Sequence, residues 1–297
     1  MNKFLVVLLL LPSVSNAGGF IDKIVDKLAS MNKPKAENVI VLKESNLLSL
    51  RVPVTRSSIA PIQKKAVNMS RELDEDEQVY FWLDTPGGEI YSGNELINTL
   101  RSIQRPVHTI TNFAASMGYV FVQSLDKRYV VEEGVLMMHR PYVQFEGEFP
   151  EQFTSRINDF SNSIAALDGR IAARIGVPTM EYLNMTEHEY WVSGKRTVDV
   201  KMADKVVVVK CDKSLRGTTT EYFDTFFGKL SIKWNKCPLI SAPESISLAD
   251  DGVITTEKQD FLEFVKQSLS DRRKFASSVE NKQRWQKAMK MNWDVWW

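Results

Sequence analysis

The chain has 297 residues with an ordinary globular composition, 43% hydrophobic and 25% charged. This composition supplies enough apolar side chains for one or two cores and excludes a disordered or fibrous protein. The 38 Lys and Arg residues nearly balance the 37 Asp and Glu residues, so the net charge is +1. No overall field favours nucleic acid or an acidic substrate, and we predict no nucleic-acid partner.

Residues 1–17 have the pattern of a secretory signal peptide. Lys3 precedes the apolar run 4–11, and the small residues Ser15 and Ala17 fit positions −3 and −1 of a cleavage site. The run is shorter than the ~20 residues that span a bilayer, although an uncleaved membrane anchor is the alternative. We therefore predict a soluble mature protein that is periplasmic or secreted.

Residues 18–38 are predicted to form an amphipathic helix and a linker. Apolar residues recur at helical spacing over 20–28, with charged residues between them. The polar stretch 32–38, which contains Pro34, then separates this helix from the first predicted strand.

From residue 39 onward, predicted strands and helices alternate. Strands are predicted at 39–42, 79–83, 107–111, 129–131 and 135–138, helices at 59–73, 91–104, from Ala115 and at 150–175, and a last unit at 198–203 and 205–209. This alternation is typical of βαβ units and predicts an α/β domain over 39–210.

The composition changes near Cys211, where we place a domain boundary. Residues 211–297 are predicted to be a C-terminal extension, loop-rich at first and then helical. The predicted helix, Glu257–Lys290, carries an apolar stripe of Phe261, Phe264, Val265 and Leu269. Such a stripe packs against the body of the protein or contacts a membrane surface or partner.

Cys211 and Cys237 are the two cysteines of the chain. The oxidising compartment predicted for an exported protein favours a disulfide between them, and two unpaired core thiols are the alternative. Isolated cysteines without a CxxC motif, in a chain with 3 histidines, make a poor zinc site. We predict no metal.

Four short motifs carry candidate chemistry. The turn Asp84–Gly88 follows a strand, and its glycines can expose backbone N–H groups, although most such strings are only turns. Ser116 begins a helix as either a nucleophile or an N-cap, and His139 ends a strand as either a base or a core residue. The fourth motif is the polar segment 187–191 with Ser193 after it.

The order and spacing of these motifs resemble the proteolytic subunit of the Clp protease, ClpP. That family has a Pro-Gly-Gly turn, an Ala-Ser-Met-Gly nucleophile segment, a Met-x-His-x-Pro base segment and a Glu-Arg-Asp segment in this order. The resemblance covers about residues 39–209. It implies an α/β fold of the ClpP/crotonase type, a spiral of repeated ββα and βαβ units, here followed by a C-terminal extension.

The resemblance also implies a Ser-His-acid triad. Ser116 attacks the peptide carbonyl, His139 transfers the proton, and the N–H groups of Gly88 and Met117 bind the oxyanion. The acidic position falls on Glu189, where the family has aspartate. We predict an exported serine endopeptidase that works through an acyl-enzyme and needs no cofactor.

The implied partners follow from the same resemblance. The substrate is a peptide or unfolded protein, bound as an extended strand near the Gly-Gly turn, and the protein is a homo-oligomer. Residues 18–38 do not resemble the family's N-terminal loops, which dock an unfolding ATPase, and an exported protein has no ATP supply. We therefore predict no cytoplasmic ATPase partner. A further departure is Val200-Lys201-Met202, which replaces the family's Tyr-Gly-Leu.

Three other functions compete with this interpretation. A catalytically inactive ClpP-fold scaffold or binding protein is the main alternative, and the presence of both Ser116 and His139 argues against it. An acyl-CoA enzyme of the crotonase superfamily would hold a thioester oxyanion with similar N–H groups, but export argues against CoA chemistry. A Ser/Lys peptidase would use lysine as the base, and the family-like setting of His139 argues against that.

Overall fold

A computed structural model describes residues 38–74, 77–143, 150–249, 255–288 and 295–296. Nearly all of them lie in one compact unit, Ile40–Trp297. The predicted signal peptide, and the predicted helix and linker up to residue 37, lie outside the described residues.

A six-stranded sheet lies at the centre of the molecule. Its strands are β2 (Leu47–Leu50), β3 (Val79–Thr85), β4 (Val107–Ala115), β5 (Arg128–Met138), β7 (Tyr190–Ser193) and β8 (Lys205–Val206). The order is β2-β3-β4-β5-β7, and β8 pairs with β5. Strands β2 to β5 are parallel, whereas β7 is antiparallel to β5. The carboxyl ends of β3, β4 and β5 therefore lie at one edge.

Helices connect and cover these strands. They are α1 (Arg56–Glu72), α2 (Ile90–Ser102), α3 (Met117–Ser124), α4 (Glu151–Ile175), α5 (Thr179–Met185) and α6 (Lys195–Asp199). Helices α1, α2 and α3 are the crossovers that parallel neighbours require. On α1, the buried Ile59, Ile62, Ala66 and Met69 recur at helical spacing, which turns this face toward the sheet. The predicted α/β fold is confirmed.

Several predicted boundaries differ from the structure, and two of the differences have a clear cause. The strands predicted at 129–131 and 135–138 form one strand, β5. The exposed residues between them interrupt the pairing with β4 but do not end the strand. Thr111 pairs with Val130 and Phe113 pairs with Val135, so the intervening residues of β5 have no partner on β4. The helix predicted from Ala115 begins at Met117, because β4 continues through Ala115.

The C-terminal extension contains a sheet that the sequence analysis did not predict. Strands β10 (Thr218–Thr225), β11 (Gly228–Asn235) and β12 (Ser245–Ala249) pair antiparallel in that order. On β11, the buried Leu230, Ile232 and Trp234 alternate with more exposed residues, which is the period of a strand with one covered face. The prediction of a loop-rich segment is corrected accordingly.

The helix predicted at Glu257–Lys290 is three helices in the described residues. These are α7 (Thr256–Ser270), α8 (Arg272–Ser277) and α9 (Val279–Ala288). The break after α7 occurs at Asp271, whose carboxylate accepts from Lys274 N and caps α8. The apolar stripe of α7 is buried in the main core, so packing against the body is what the structure shows. In the described ranges, no helix has the length and hydropathy to cross a bilayer.

Two small sheets complete the described structure. Strand β1 (Val39–Leu42) pairs with β9 (Val208–Cys211), and β6 (Tyr142–Val143) pairs with β13 (Val295–Trp296). A disulfide joins Cys211, at the end of β9, to Cys237, after β11. It links the end of β9 to the sheet of the extension.

Candidate active site

Ser116 lies at the sharp turn between β4 and α3. Its backbone has φ 60° and ψ −120°, a conformation that is costly for a residue with a side chain and that clusters at functional sites. The turn is held by a hydrogen bond from Ser116 N to Met137 O at 2.8 Å. The serine is 1% exposed in this chain. The turn presents the Oγ at the carboxyl edge of the sheet.

His139 directly follows β5 and meets Ser116 there. Its Nε2 lies 2.8 Å from Ser116 Oγ. The contact arises because β4 and β5 are parallel neighbours, so residues that follow their carboxyl ends lie side by side. In the tautomer with Nε2 unprotonated, the hydroxyl donates to the imidazole, which is the geometry of a serine and its general base.

Residues Thr85–Gly88 form the turn at the end of β3, here called the oxyanion turn. Gly87 has φ 91° and Gly88 has φ 151°. A Cβ on Gly87 would lie 2.6 Å from both Ala115 O and Ser116 Cβ, so the turn packs directly on the segment that carries Ser116. In this part of the chain, the described hydrogen bonds use neither Gly88 N–H nor Met117 N–H. Both N–H groups are available to an oxygen of a substrate.

The oxyanion turn is held by the segment that follows β2. Val54 N donates to Gly87 O at 2.8 Å, and Glu89 N donates to Val54 O at 2.9 Å. Within the turn, Thr85 Oγ1 donates to Val52 O at 2.7 Å and accepts from Gly87 N at 3.2 Å. The segment that follows β2 therefore holds the turn in position through both of its ends.

Glu189 lies at the same end of the sheet as His139. Because Met138 pairs with Tyr190, the residues next to this pair, His139 and Glu189, belong to adjoining strand ends. The Glu189 carboxylate accepts from Trp191 Nε1 at 3.0 Å and from Ser277 Oγ at 2.7 Å, both at Oε2. The structure thus brings Glu189 to the expected end of the sheet, with its Oε2 bound to donors other than His139.

Helix α8 of the extension borders this site, and the sequence pattern did not predict this contact. Its Ala276 packs in one cluster with Ala115, the residue before Ser116, and with Trp191. Its first residue, Arg272, lies with Nε 3.1 Å from Oδ1 of Asp84. In the sequence, Arg272 is one of several basic residues of a polar helix, and no local pattern separates it from its neighbours.

Burial controls the charge of Asp84. Its carboxyl is 1% exposed and lies next to the oxyanion turn. Burial raises the pKa of Asp84, while the Arg272 guanidinium, the Asn112 side chain and the Arg51 guanidinium lower it. Burial also lowers the pKa of Arg272, and Asp84 opposes that change. The two groups form a buried pair of opposite charge.

Metal ligation has no candidate in the part of the chain that the structure describes. There, no group of three His, Cys, Asp or Glu side chains could hold a metal ion.

The serine is hydrogen-bonded to a histidine and lies beside a glycine turn with available N–H groups. This is the arrangement of a serine hydrolase site. The family model described as Clp protease matches residues 34–210. This match covers more than half of the 297 residues, and the chain belongs to the Clp protease family. The predicted family is confirmed, and the parallel sheet with its helices agrees with a ClpP-type fold. At the level of the family, the chain is a ClpP-like peptidase.

Proposed function

We propose that this chain is an exported serine endopeptidase that cleaves peptide bonds through Ser116 and an acyl-enzyme. The observation that supports the proposal most is the 2.8 Å contact between Ser116 Oγ and His139 Nε2. It joins a strained nucleophile turn to a base, and the oxyanion turn lies in contact with the same segment. Each of these parts has a use in acyl transfer.

The proposed chemistry has two halves. In the first, Ser116 Oγ bonds to the peptide carbonyl carbon while its proton passes to His139 Nε2. The developing oxyanion accepts from Gly88 N–H and Met117 N–H, and His139 then gives the proton to the leaving amine. In the second, His139 activates a water that releases the acyl group and restores the serine. Glu189 is proposed to stabilise the imidazolium.

The proposed substrate and self-association follow those of the family. The substrate is an extended peptide that lies along the strand ends near the oxyanion turn and binds through its backbone. We propose a homo-oligomer outside the cytoplasm that acts without an ATPase, since residues 1–17 have the signal-peptide pattern.

A catalytically inactive binding protein is the second candidate. The observation that favours it is the position of Glu189, whose Oε2 accepts from Trp191 and Ser277. This oxygen is therefore held by donors on β7 and α8. The chain would then keep the fold and use it for binding.

Labelling with a fluorophosphonate probe decides between the two candidates. The wild type is expected to be labelled at one site and to hydrolyse an unstructured protein substrate. Ser116→Ala should abolish both, because it removes the Oγ and little volume. Ser161→Ala, at an exposed serine of α4, is the matched control and should behave as wild type. An unlabelled wild type would support the binding protein, and equal labelling of Ser116→Ala would place the reactive serine elsewhere.

A further inference from the structure

Arg272 connects the C-terminal extension to the backbone that carries the oxyanion turn. Besides its ion pair with the Asp84 carboxylate at 3.1 Å, its Nε donates to Asp84 O at 3.2 Å. A second guanidinium nitrogen donates to Ser241 O at 3.3 Å. Asp84 directly precedes the oxyanion turn, so the guanidinium contacts both the side chain and the carbonyl of the residue from which the turn starts.

The pair compensates a charge that the site could not otherwise hold. An ionised carboxylate in a water-excluded position is costly unless a counter-charge lies beside it. Among the groups that lower the pKa of Asp84, Arg272 has the largest effect, ahead of Asn112 and Arg51. Without Arg272, Asp84 would either take up a proton or move its carboxylate toward water.

Arg51 extends the same set of charges into the sheet of the extension. Its Nη1 donates to Asn235 O at 2.9 Å, and its guanidinium carbon lies 4.8 Å from the centre of the Trp234 ring. Trp234 Nε1 in turn donates to Glu221 Oε2 at 3.1 Å. Acidic and basic groups therefore alternate in the order Glu221, Arg51, Asp84, Arg272, and the extension provides the first and the last.

The oxyanion turn has no room to absorb a shift of Asp84. Gly87 lies so close to the nucleophile segment that a Cβ there would stand 2.6 Å from Ser116 Cβ and 2.8 Å from Met117 N. Gly118 is similarly close to Thr85, because a Cβ on it would lie 2.9 Å from Thr85 Cγ2. Displacement of the strand end would therefore move the Gly88 N–H relative to Ser116.

We propose that Arg272 is a positioning residue of the active site: by pairing with Asp84, it fixes the strand end that places the Gly88 N–H for the oxyanion. The inference rests on the proposed peptidase function and deepens it. In this proposal, α8 supports the active site although it lies outside residues 34–210, which match the family.

Steady-state kinetics of Arg272→Gln in the full chain tests this role. The oxyanion contact forms in the transition state, so kcat should fall at least ~10-fold while KM stays within about twofold. Lys274→Gln removes the same charge from an exposed position of α8 and should match wild type. The double variant Asp84→Asn with Arg272→Gln should recover kcat to within about threefold of wild type, because an amide needs no counter-charge.

A purely structural role predicts other outcomes. It would lower the melting temperature of Arg272→Gln while leaving kcat per active site, titrated with the fluorophosphonate, unchanged. It would also leave the double variant as impaired as the single one. Either result overturns the positioning role.

If Arg272→Gln does not fold, a second variant tests the proposal. Arg272→Lys keeps the charge but cannot reach both Asp84 O and Ser241 O, so its kcat should fall roughly three- to tenfold. A kcat equal to that of wild type would overturn the proposal. A wild type that neither hydrolyses peptide nor reacts with the probe would instead contradict the proposed function, and the positioning role with it.

Discussion

Ser277 donates a hydrogen bond of 2.7 Å to Glu189 Oε2 and so ties α8 to the residue that precedes β7. Glu189 is the position that the sequence assigns to the triad, and the donor comes from a part of the chain 88 residues away. Glu189 and Asp84, the residue before the oxyanion turn, are thus both contacted by the same short helix of the extension.

Glu189→Gln should lower kcat by about 10² to 10⁴ with the fold intact, since the amide keeps an acceptor for Trp191 but loses the negative charge. Ser277→Ala is the matched control, because it removes only the bond from α8, and its kcat should stay within ~10-fold of wild type. Steady-state hydrolysis and circular dichroism of both variants provide the measurement. Near wild-type turnover of Glu189→Gln would mean that a Ser-His dyad does the chemistry.

Denatured, unreduced protein should show no free thiol, because Cys211 and Cys237 are joined. The cysteines are 26 residues apart, and removing a cross-link of that span by the double Cys→Ser variant should lower the free energy of unfolding by about 3 kcal/mol. Thiol titration and urea unfolding check the two statements. Two reactive thiols in the unreduced protein would contradict the pairing.

Asp168→Asn should stabilise the protein at pH 8 but not at pH 4. Burial raises the pKa of Asp168 to about 6, against an opposing effect of Arg140. Since the unfolded carboxyl titrates near 3.9, the folded state holds its proton longer, and stability is lost as pH rises between roughly 4 and 6.

The amide should therefore raise the free energy of unfolding at pH 8 by about 1 to 2 kcal/mol, after a discount for partial exposure. Urea unfolding at the two pH values measures it. Asp159→Asn, at an exposed position of the same helix, is the control and should show no such difference. A gain for Asp168→Asn that is equal at both pH values would refute the titration argument.

The protein should self-associate through the first half of α4. Residues 151–166 of this helix include no buried side chain, and Phe160 and Ile164 among them are only partly covered by the main core. Apolar side chains that stay half-exposed on a helix favour association. Light scattering at micromolar concentration should give an oligomer for wild type, a smaller species for Ile157→Glu and the wild-type size for Asn158→Glu. A monomeric wild type would remove the basis for this prediction.

Lys201→Gly should stabilise the protein by about 1 kcal/mol. Lys201 has φ 60°, a left-handed conformation that costs a residue with a Cβ roughly that amount. The substitution keeps Lys201 O, which accepts from Arg128 Nη1 at 2.8 Å. Lys210→Gly, in strand β9, is the opposite control and should destabilise, because glycine weakens a strand. Urea unfolding that ranked Lys201→Gly below wild type would contradict the strain argument.

The α/β region could be predicted well because its signals are local. Strands β3, β4 and β5 contain apolar runs that predict them, whereas the short strand β2 was not predicted. The pairing of Ser116 with His139 was implied by the resemblance to ClpP, and both residues follow strands that end at one edge of the sheet. The sheet of the extension was missed because its polar threonines resemble a loop, although Leu230, Ile232 and Trp234 alternate. The pair of Asp84 and Arg272 joins residues 188 positions apart, and no local pattern specifies such a contact.

The disulfide described above has a consequence for any cut in the chain between 212 and 236. Both fragments would stay covalently linked through Cys211 and Cys237, and would separate only under reducing conditions. Helix α8 would then continue to face the active site at an effective concentration in the millimolar range, as a tethered ligand does. A protein that was nicked in this segment would therefore keep the arginine of its extension in place, and would run as two bands only on a reducing gel.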